Sequence, residues 1–230
     1  MKDIEKISRE KITVKRKFSE EDKKNIKEDY KLEVSRSIFL GYVYNIEKQE
    51  EVEEILMFFR QKYKDARHIC YGYILDNIEK YDDDSEPIRT AGYPILEYLK
   101  NTNCNNTIII VIRYFGGTLL GTGGLIRAYT KCAKLSLENS QILRLYNSKK
   151  ICMDIPYDKI GEVEYIIKKL NIELIYSKYL ETVILEFNIL DENYLEFLEY
   201  IYKVFSKNSK EEIHKKYFKQ ITEGYMTNNE

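Results

Sequence analysis

Five of the ten glycines in the sequence fall within nine consecutive positions, namely Gly116, Gly117, Gly121, Gly123 and Gly124. Glycine loses more backbone entropy on folding than other residues, so this density favours a loop that needs positive φ or close approach to a ligand. The start of the helix predicted after the loop exposes unpaired N–H groups and a partial positive charge. With Arg113 before the loop and Arg127 after it, the segment has the composition of an anion or phosphate site.

The glycine loop does not match the established phosphate-binding motifs. A P-loop needs a lysine directly after its last glycine, whereas Gly124 is followed by Leu125. The dinucleotide motif GxGxxG is also absent, because Gly121-Thr122-Gly123-Gly124 lacks its last step. The residues alone therefore leave two interpretations open: an anion site, or a tight turn whose glycines let the helix pack on the sheet.

An acidic run at 82–86 precedes Pro87 in a polar segment that we interpret as a loop over 76–89. Carboxylates are the ligands that Mg²⁺ and Ca²⁺ prefer, but the spacing of a calcium-binding EF-hand loop is missing. Bidentate arginine–carboxylate contacts are the favoured alternative, and they would hold this loop over the sheet. We expect the partner to be Arg89, Arg113 or Arg127, and we predict no metal site.

The chain has only two histidines, His68 and His214, and four cysteines without a CxxC pair. Neither a zinc site nor a disulfide framework is predicted, and we expect reduced, buried thiols. His68 and Cys70 share one face of a predicted strand, but residues two apart are too distant for a Cys–His catalytic pair. The favoured interpretation of His68 is a partly buried histidine bonded to a neighbour.

Charge is unevenly distributed along a chain whose formal net charge is −1. Residues 1–150 carry a net +4 and residues 151–230 a net −5. Segment 107–150 holds one acidic residue and seven basic ones, which are Arg113, Arg127, Lys131, Lys134, Arg144, Lys149 and Lys150. The pattern excludes nucleic-acid binding by the whole chain and favours a local basic patch. No apolar run approaches the ~20 residues that cross a bilayer, and we expect a cytoplasmic protein without membrane contact.

Periodicity predicts a two-domain α+β protein. Residues 1–33 form a charged lead-in with at most a short edge strand around Ile12 and Val14, and the first domain covers 34–146. Its predicted elements are a strand at 34–44, a helix at 47–64, a strand at 66–75, a helix at 93–100, a strand at 107–115 and a helix at 125–138. The nearly continuous apolar strand at 107–115 is predicted to be central.

The second predicted domain covers 150–222, after a bridge at 141–150. Its pattern is a strand at 151–157, a helix at 158–171, strands at 172–178 and 181–189, a helix at 191–205 and a weak strand near 217–222. This β-α-β-β-α-β order is that of a ferredoxin-like domain.

Three segments resemble the YigZ/IMPACT family over about residues 34–145. They are ARHIC at 66–70, DDSEPIRTAGYPIL at 83–96 and VIRYFGGTLLGTGGLIRAY at 111–129. The second domain is similar to the one that bacterial two-domain members add. The resemblance implies a first domain of the ribosomal-protein/elongation-factor type, a sandwich with a left-handed βαβ crossover. It also implies a second domain like one of elongation factor G.

The family's eukaryotic members regulate translation by protein–protein contact. Some bacterial members carry a proline-dipeptidase label, which two histidines cannot support, because that two-metal centre needs more of them. The sequence departs from the family pattern at Ser85 and Arg89, where glycine is usual, and at Ile38, where arginine is usual. Arg36 or Arg89 could replace that arginine at an anion.

We hypothesise a non-enzymatic, translation-linked regulatory protein that binds RNA, the ribosome or a translation factor. The predicted contact surface comprises Arg113, Tyr114, Gly116, Gly117, Gly121, Gly123, Gly124, Arg127 and Lys131. The predicted supporting residues are Arg67, His68, Asp83, Asp84 and Glu86.

Two alternatives remain open. One is an enzyme or binder of a phosphorylated or carboxylated small molecule, with the glycine loop as its anion site and Asp83, Asp84 or Glu86 as base or metal ligand. The other is a pure protein-interaction module. The leading hypothesis includes no catalytic residue, metal or cofactor, and the sequence leaves the oligomeric state undetermined.

Overall fold

A computed structural model describes residues 11–227 of the 230-residue chain, with the backbone alone for 224–227. The chain divides into two compact units between Arg144 and Leu145, and each unit has its own hydrophobic core. The two-domain α+β class predicted from the sequence is confirmed. Among the described residues, no helix is long and apolar enough to span a membrane.

The first unit is built on one antiparallel sheet with the order β2-β3-β6-β4-β5. Its elements are β1 (Ile12–Val14), α1 (Glu20–Asn25), β2 (Tyr30–Val34), β3 (Ser37–Asn45), α2 (Gln49–Lys62), β4 (His68–Leu75), β5 (Ile78–Asp82), α3 (Gly92–Asn101), β6 (Thr107–Tyr114) and α4 (Gly121–Glu138). Strands β3 and β4 are both antiparallel to β6 and hence parallel to each other, so α2 is their crossover. The left hand implied for this crossover stays a prediction.

Strand β6 is the middle strand of the sheet, as its apolar run predicted, and both faces of the sheet are covered at this strand. Ile109 and Val111 pack in the cluster with α3 and α4, whereas Ile108, Ile110 and Ile112 pack in the cluster with α2. A strand buried on two faces cannot alternate apolar with polar residues, which explains the run. The site below sits where this strand ends.

The predicted charged lead-in differs from the structure. Its first ten residues lie outside the described part, but Ile12 and Val14 are completely buried in strand β1, which pairs with 142–144. Strand β2 also falls within the predicted lead-in and forms an edge of the sheet. The short edge strand predicted around Ile12 and Val14 agrees with β1, but the charged flanks gave no sign that its side chains are buried.

Two further boundaries were wrong. The predicted loop at 76–89 contains β5, which forms a hairpin with β4. The predicted bridge at 141–150 is part of one long strand, β7 (Ile142–Ile155), which continues from the first unit into the second. Strand β5 is mostly exposed, and residues 142–150 of β7 are mostly exposed or half-buried, so both segments lack the apolar alternation by which strands are recognised.

The second unit has the predicted ferredoxin-like order. After β7 come a 3-10 turn (Tyr157–Lys159), α5 (Ile160–Lys169), β8 (Glu173–Tyr179), β9 (Val183–Leu190), α6 (Asp191–Val204), α7 (Lys210–Tyr217) and β10 (Phe218–Thr227). The sheet order is β10-β7-β9-β8, with all neighbours antiparallel. Helix α7 is the one addition to the predicted pattern in this unit.

Helix α3 packs on strand β4 through backbone contact at Gly72. A Cβ on Gly72 would lie 2.7 Å from the amide nitrogen of Leu96 and 3.1 Å from the carbonyl oxygen of Gly92. Backbone atoms cannot rotate away as side chains can, so a methyl group would push the helix off the sheet.

We therefore expect Gly72→Ala to lower the free energy of unfolding of the first unit by about 1–3 kcal/mol in urea titrations. Gly161→Ala is the matched control, because nothing lies within 4 Å of its Cβ position in helix α5. Gly161→Ala should raise the free energy of unfolding by about 0.5–1 kcal/mol. Equal effects of the two substitutions would contradict this account of the α3–β4 contact.

Candidate functional site

The glycines of the loop between β6 and α4 have two different roles. A Cβ on Gly116 would lie 2.0 Å from the carbonyl carbon of Arg36, and the Gly116 amide donates to Ser37 Oγ at 3.1 Å. This glycine is required for packing. Gly117 and Gly121 have φ values of +84° and +66°, with nothing within 4 Å of their Cβ positions. Both adopt the left-handed backbone conformation, and the space beside each Cβ position is open. The packing interpretation therefore holds for Gly116, while the anion-site interpretation stays a prediction.

Helix α4 begins without a side-chain cap. Its N-cap residue is Leu120, whose side chain cannot accept a hydrogen bond, and its first turn contains no acidic residue. Gly121, Thr122 and Gly123 are exposed. The first-turn amides thus lack the side-chain acceptor that usually compensates a helix N-terminus, and the positive end of an 18-residue helix faces outward.

Arg113 lies inside the protein, not on the surface that the sequence predicted. It is 4% exposed, and its Nη1 is 2.5 Å from Glu86 Oε1, which also accepts from the Tyr129 hydroxyl at 2.9 Å. His68 Nε2 lies 3.8 Å from the same oxygen. Of the three arginines proposed to pair with the acidic run, the structure selects Arg113. Among the described residues its Nε has no hydrogen-bond partner, and its guanidinium lies 5.6 Å from the centroids of two aromatic rings, those of Phe39 and Phe115.

The other carboxylates of the acidic run hold the loop backbone. Asp83 Oδ1 accepts from the amides of Ala91 and Gly92 at 3.0 and 2.8 Å, and so caps the start of α3. Asp84 Oδ2 accepts from the Ile69 amide at 2.6 Å, while the Asp84 carbonyl is 2.6 Å from His68 Nδ1. The predicted supporting residues thus connect loop 83–91 to β4 and α3. Within residues 11–227, no group of three or more His, Cys, Asp or Glu is placed to hold a metal.

Cys70 is a buried thiol of the same polar cluster. Its Sγ donates toward the Asp83 carbonyl at 3.1 Å and lies 3.4 Å from the Tyr129 hydroxyl. Desolvation raises the pKa of the Cys70 thiol well above its ordinary value, so the group stays protonated. A thiol in that state is not a nucleophile. Burial likewise raises the pKa of the Tyr129 hydroxyl and keeps it a hydrogen-bond donor to Glu86.

Exposed cations lie before β3 and β4, in loop 83–91 and on α4, and the Arg89 guanidinium is 5.0 Å from the centroid of the Tyr93 ring. Within the described part of the chain none of five exposed cations forms an ion pair; they are Arg36, Arg67, Arg89, Arg127 and Lys131. The backbone of Arg36 touches Gly116, and the Arg67 guanidinium lies 5.6 Å from the centroid of the Phe115 ring. Arg127 Nη1 is 3.4 Å from the Cβ position of Gly123. We call these five residues the cation set.

The sequence identified Arg127, Lys131 and the glycines of this surface, and Arg67 as a supporting residue. Tyr114 is half-buried and donates to Asp65 at 3.2 Å, so its hydroxyl is engaged. Sequence reasoning missed Tyr129 and the 40% exposed Phe115 ring. Tyr129 looked like part of the apolar face of α4, and only its buried hydroxyl reveals the role. Phe115 ends an apolar strand, which suggested burial.

The buried ion pair between Arg113 and Glu86 can be tested by substitution. Glu86→Gln keeps the shape of the side chain but leaves the Arg113 charge unpaired in the interior, so we expect a loss of about 3 kcal/mol in the free energy of unfolding. Glu79→Gln is the control, because Glu79 pairs with Lys100 at 2.8 Å on the surface. An exposed pair contributes at most about 1 kcal/mol. A Glu86→Gln effect as small as the control's in chemical denaturation would show that the pair does not stabilise the loop.

The departures from the family's glycines fall at left-handed backbone positions. Ser85 has φ of 66° and Arg89 has φ of 59°, a region that costs non-glycine residues about 1–2 kcal/mol. We expect Ser85→Gly to raise the free energy of unfolding by up to about 1 kcal/mol, because glycine relieves that cost. Ser85→Ala, which keeps Cβ, should give no gain. Thermal or urea unfolding of the two variants measures the difference, and a gain from both would refute backbone relief as its source.

Comparisons with known proteins find similar sequences and a similar structure. The Impact N-terminal domain model matches residues 35–137. IMPACT family member YvyE of Bacillus subtilis (strain 168) is 32% identical over 139 residues, which span 59% of this chain but only 64% of that relative. An IMPACT family member in the pol 5′ region of Thermus thermophilus is 30% identical over 140 residues, or 61% of this chain and 76% of the relative. A crystal structure of a hypothetical protein aligns with TM-score 0.61 and 26% identity over 78% of this chain and 89% of its own.

Proposed function

The chain belongs to the IMPACT family, and from that premise we propose that it is a non-enzymatic, translation-linked protein that binds RNA through the surface around its glycine loop. The observation that carries the proposal is the cation set, five exposed basic side chains without an acidic partner in the described chain. Side chains that are already paired add little to phosphate binding, whereas unpaired ones release counterions when they meet phosphates.

The loop geometry supports phosphate as the group that is bound. The outward, uncapped start of α4 offers amide donors and a partial positive charge to an anion. Gly117 and Gly121 carry no side chain that would block approach, and their Cβ directions are open. Phosphate oxygens are the commonest targets of backbone amides and arginines in nucleic-acid complexes.

Phe115 supports RNA over a simple anion. Its ring is 40% exposed and has Arg67 near its face. Aromatic rings and arginine planes stack on the unpaired bases of single-stranded loops, which is how most RNA-binding proteins recognise RNA. The exposed ring can stack on the base of an unpaired nucleotide, while the neighbouring cations bind its phosphate.

The small-molecule enzyme alternative has less support. The carboxylates that it needs as base or metal ligand are engaged, since Asp83 caps α3, Asp84 accepts from Ile69 and Glu86 pairs with Arg113. A base must be free to take a proton from a substrate. The link to translation comes from the family resemblance, whose eukaryotic members regulate that process, and the ribosome is the RNA-rich target that it suggests.

We expect the full chain to bind purified tRNA or ribosomes with an affinity that falls steeply as KCl is raised, measured by fluorescence anisotropy or cosedimentation. Arg127→Glu should weaken binding at least tenfold at low salt and make the salt dependence shallower by about one unit in log–log slope. Lys62→Glu changes the net charge equally, but on α2, which covers the opposite face of the sheet. It should leave binding almost unchanged.

No association with tRNA or ribosomes at low salt would refute the proposal. Equal losses for the two variants would refute the location of the site while leaving RNA binding intact. Capture of a translation factor that survives high salt, without RNA, would favour the protein-interaction alternative.

A further inference from the structure

Strand β8 is an uncovered edge of the second unit. Within residues 11–227 it ends the sheet order and pairs on one side only, with β9. All seven of its side chains are exposed, whereas those of β9 alternate between buried and half-buried. Four large apolar residues of β8 are about half exposed: Leu174 (45%), Ile175 (46%), Tyr176 (47%) and Tyr179 (56%). Leu180, just beyond the strand, is 52% exposed.

Other edges in this protein are protected by charge. The edge strand β5 carries Glu79 and Lys80 at adjacent central positions and ends in Asp82. Charged side chains on an edge discourage pairing with another strand, while an apolar edge invites it. The charges of β8 lie toward its two ends, at Glu173 and Lys178, and leave the apolar residues between them.

We propose that β8 pairs antiparallel with β8 of a second copy of this chain, so that two sheets join into one. In an antiparallel pair the start of one strand meets the end of the other, which brings Glu173 of one copy toward Lys178 of its partner. A two-fold axis produces this contact twice. The unpaired edge amides and carbonyls gain partners, and the apolar middle of each strand covers the other.

Within the described chain the charges are available for this contact. Lys178 forms no ion pair there, and Glu173 has one hydrogen bond, from Asn188 Nδ2 at 3.1 Å. A bulge leaves Ile175 outside the register with β9, whereas 173–174 and 176–179 on either side of it are paired with β9. A different protein could also add a strand here, but opposite charges at the two ends of the same strand specifically favour self-pairing.

A charge exchange tests this pairing on the full chain. Sedimentation velocity should show a concentration-dependent dimer for the unaltered protein. Glu173→Lys and Lys178→Glu each place like charges together at both contacts, so each should weaken dimerisation about tenfold or more. A mixture of the two variants opposes unlike charges again, and so does the double variant Glu173→Lys/Lys178→Glu. Both should restore the dimer.

Restoration of the dimer by the mixture shows that each single variant is folded and has lost only the pairing. A misfolded chain would not regain dimerisation when it is mixed with the other variant. Circular dichroism should give unchanged melting for each single variant. A monomer at every concentration tested would overturn the proposal. So would single variants that dimerise like the unaltered chain, or a mixture that stays monomeric. RNA binding by the first unit is measured separately and has no part in these outcomes.

Discussion

The buried ion pair between Arg113 and Glu86 is the constraint on which the candidate site depends. Removing two charges from water costs several kcal/mol per ion, and the cost is offset only where geometry and further hydrogen bonds are favourable. The Tyr129 hydroxyl and the rings of Phe39 and Phe115 supply those additional contacts. The pair joins the end of the central strand to loop 83–91, and Tyr129 joins both to α4. Three separate parts of the chain are thereby held in one arrangement.

This arrangement divides the polar residues of the site into two layers. The inner layer comprises groups whose hydrogen bonds are directed at each other or at loop backbone, such as Asp83 and Asp84. The outer layer is the cation set, whose members lack acidic partners in the described chain. Because the acidic residues nearest the loop are already engaged, they do not neutralise the outer cations. The buried network thus leaves the cation set without acidic partners in the described chain.

Sequence reasoning succeeded where one residue pattern had one physical cause. The apolar run of β6 indicated a strand covered on both faces, and the stripes of α5 and α6 with their flanking strands indicated the ferredoxin-like order. It failed where the cause was a distant partner. The sequence named Arg113 as one of three possible partners of the acidic run, but it also placed Arg113 on the surface, because Glu86 lies 27 residues earlier in the chain. It predicted β8 as a strand but not as an edge, because edge position is set by sheet order, which composition does not encode.

The two units differ in net charge. Residues 145–230 carry 12 basic and 15 acidic residues, a net −3, which disfavours phosphate, so the second unit is poorly suited to hold RNA by charge. Its distinctive surface is an apolar edge, and apolar contact is not screened by salt. The phosphate binding proposed for the first unit weakens as salt rises. The proposed β8 pairing combines salt-screened contacts between Glu173 and Lys178 with an apolar part that salt does not screen, so raising the salt concentration is expected to weaken it less than RNA binding.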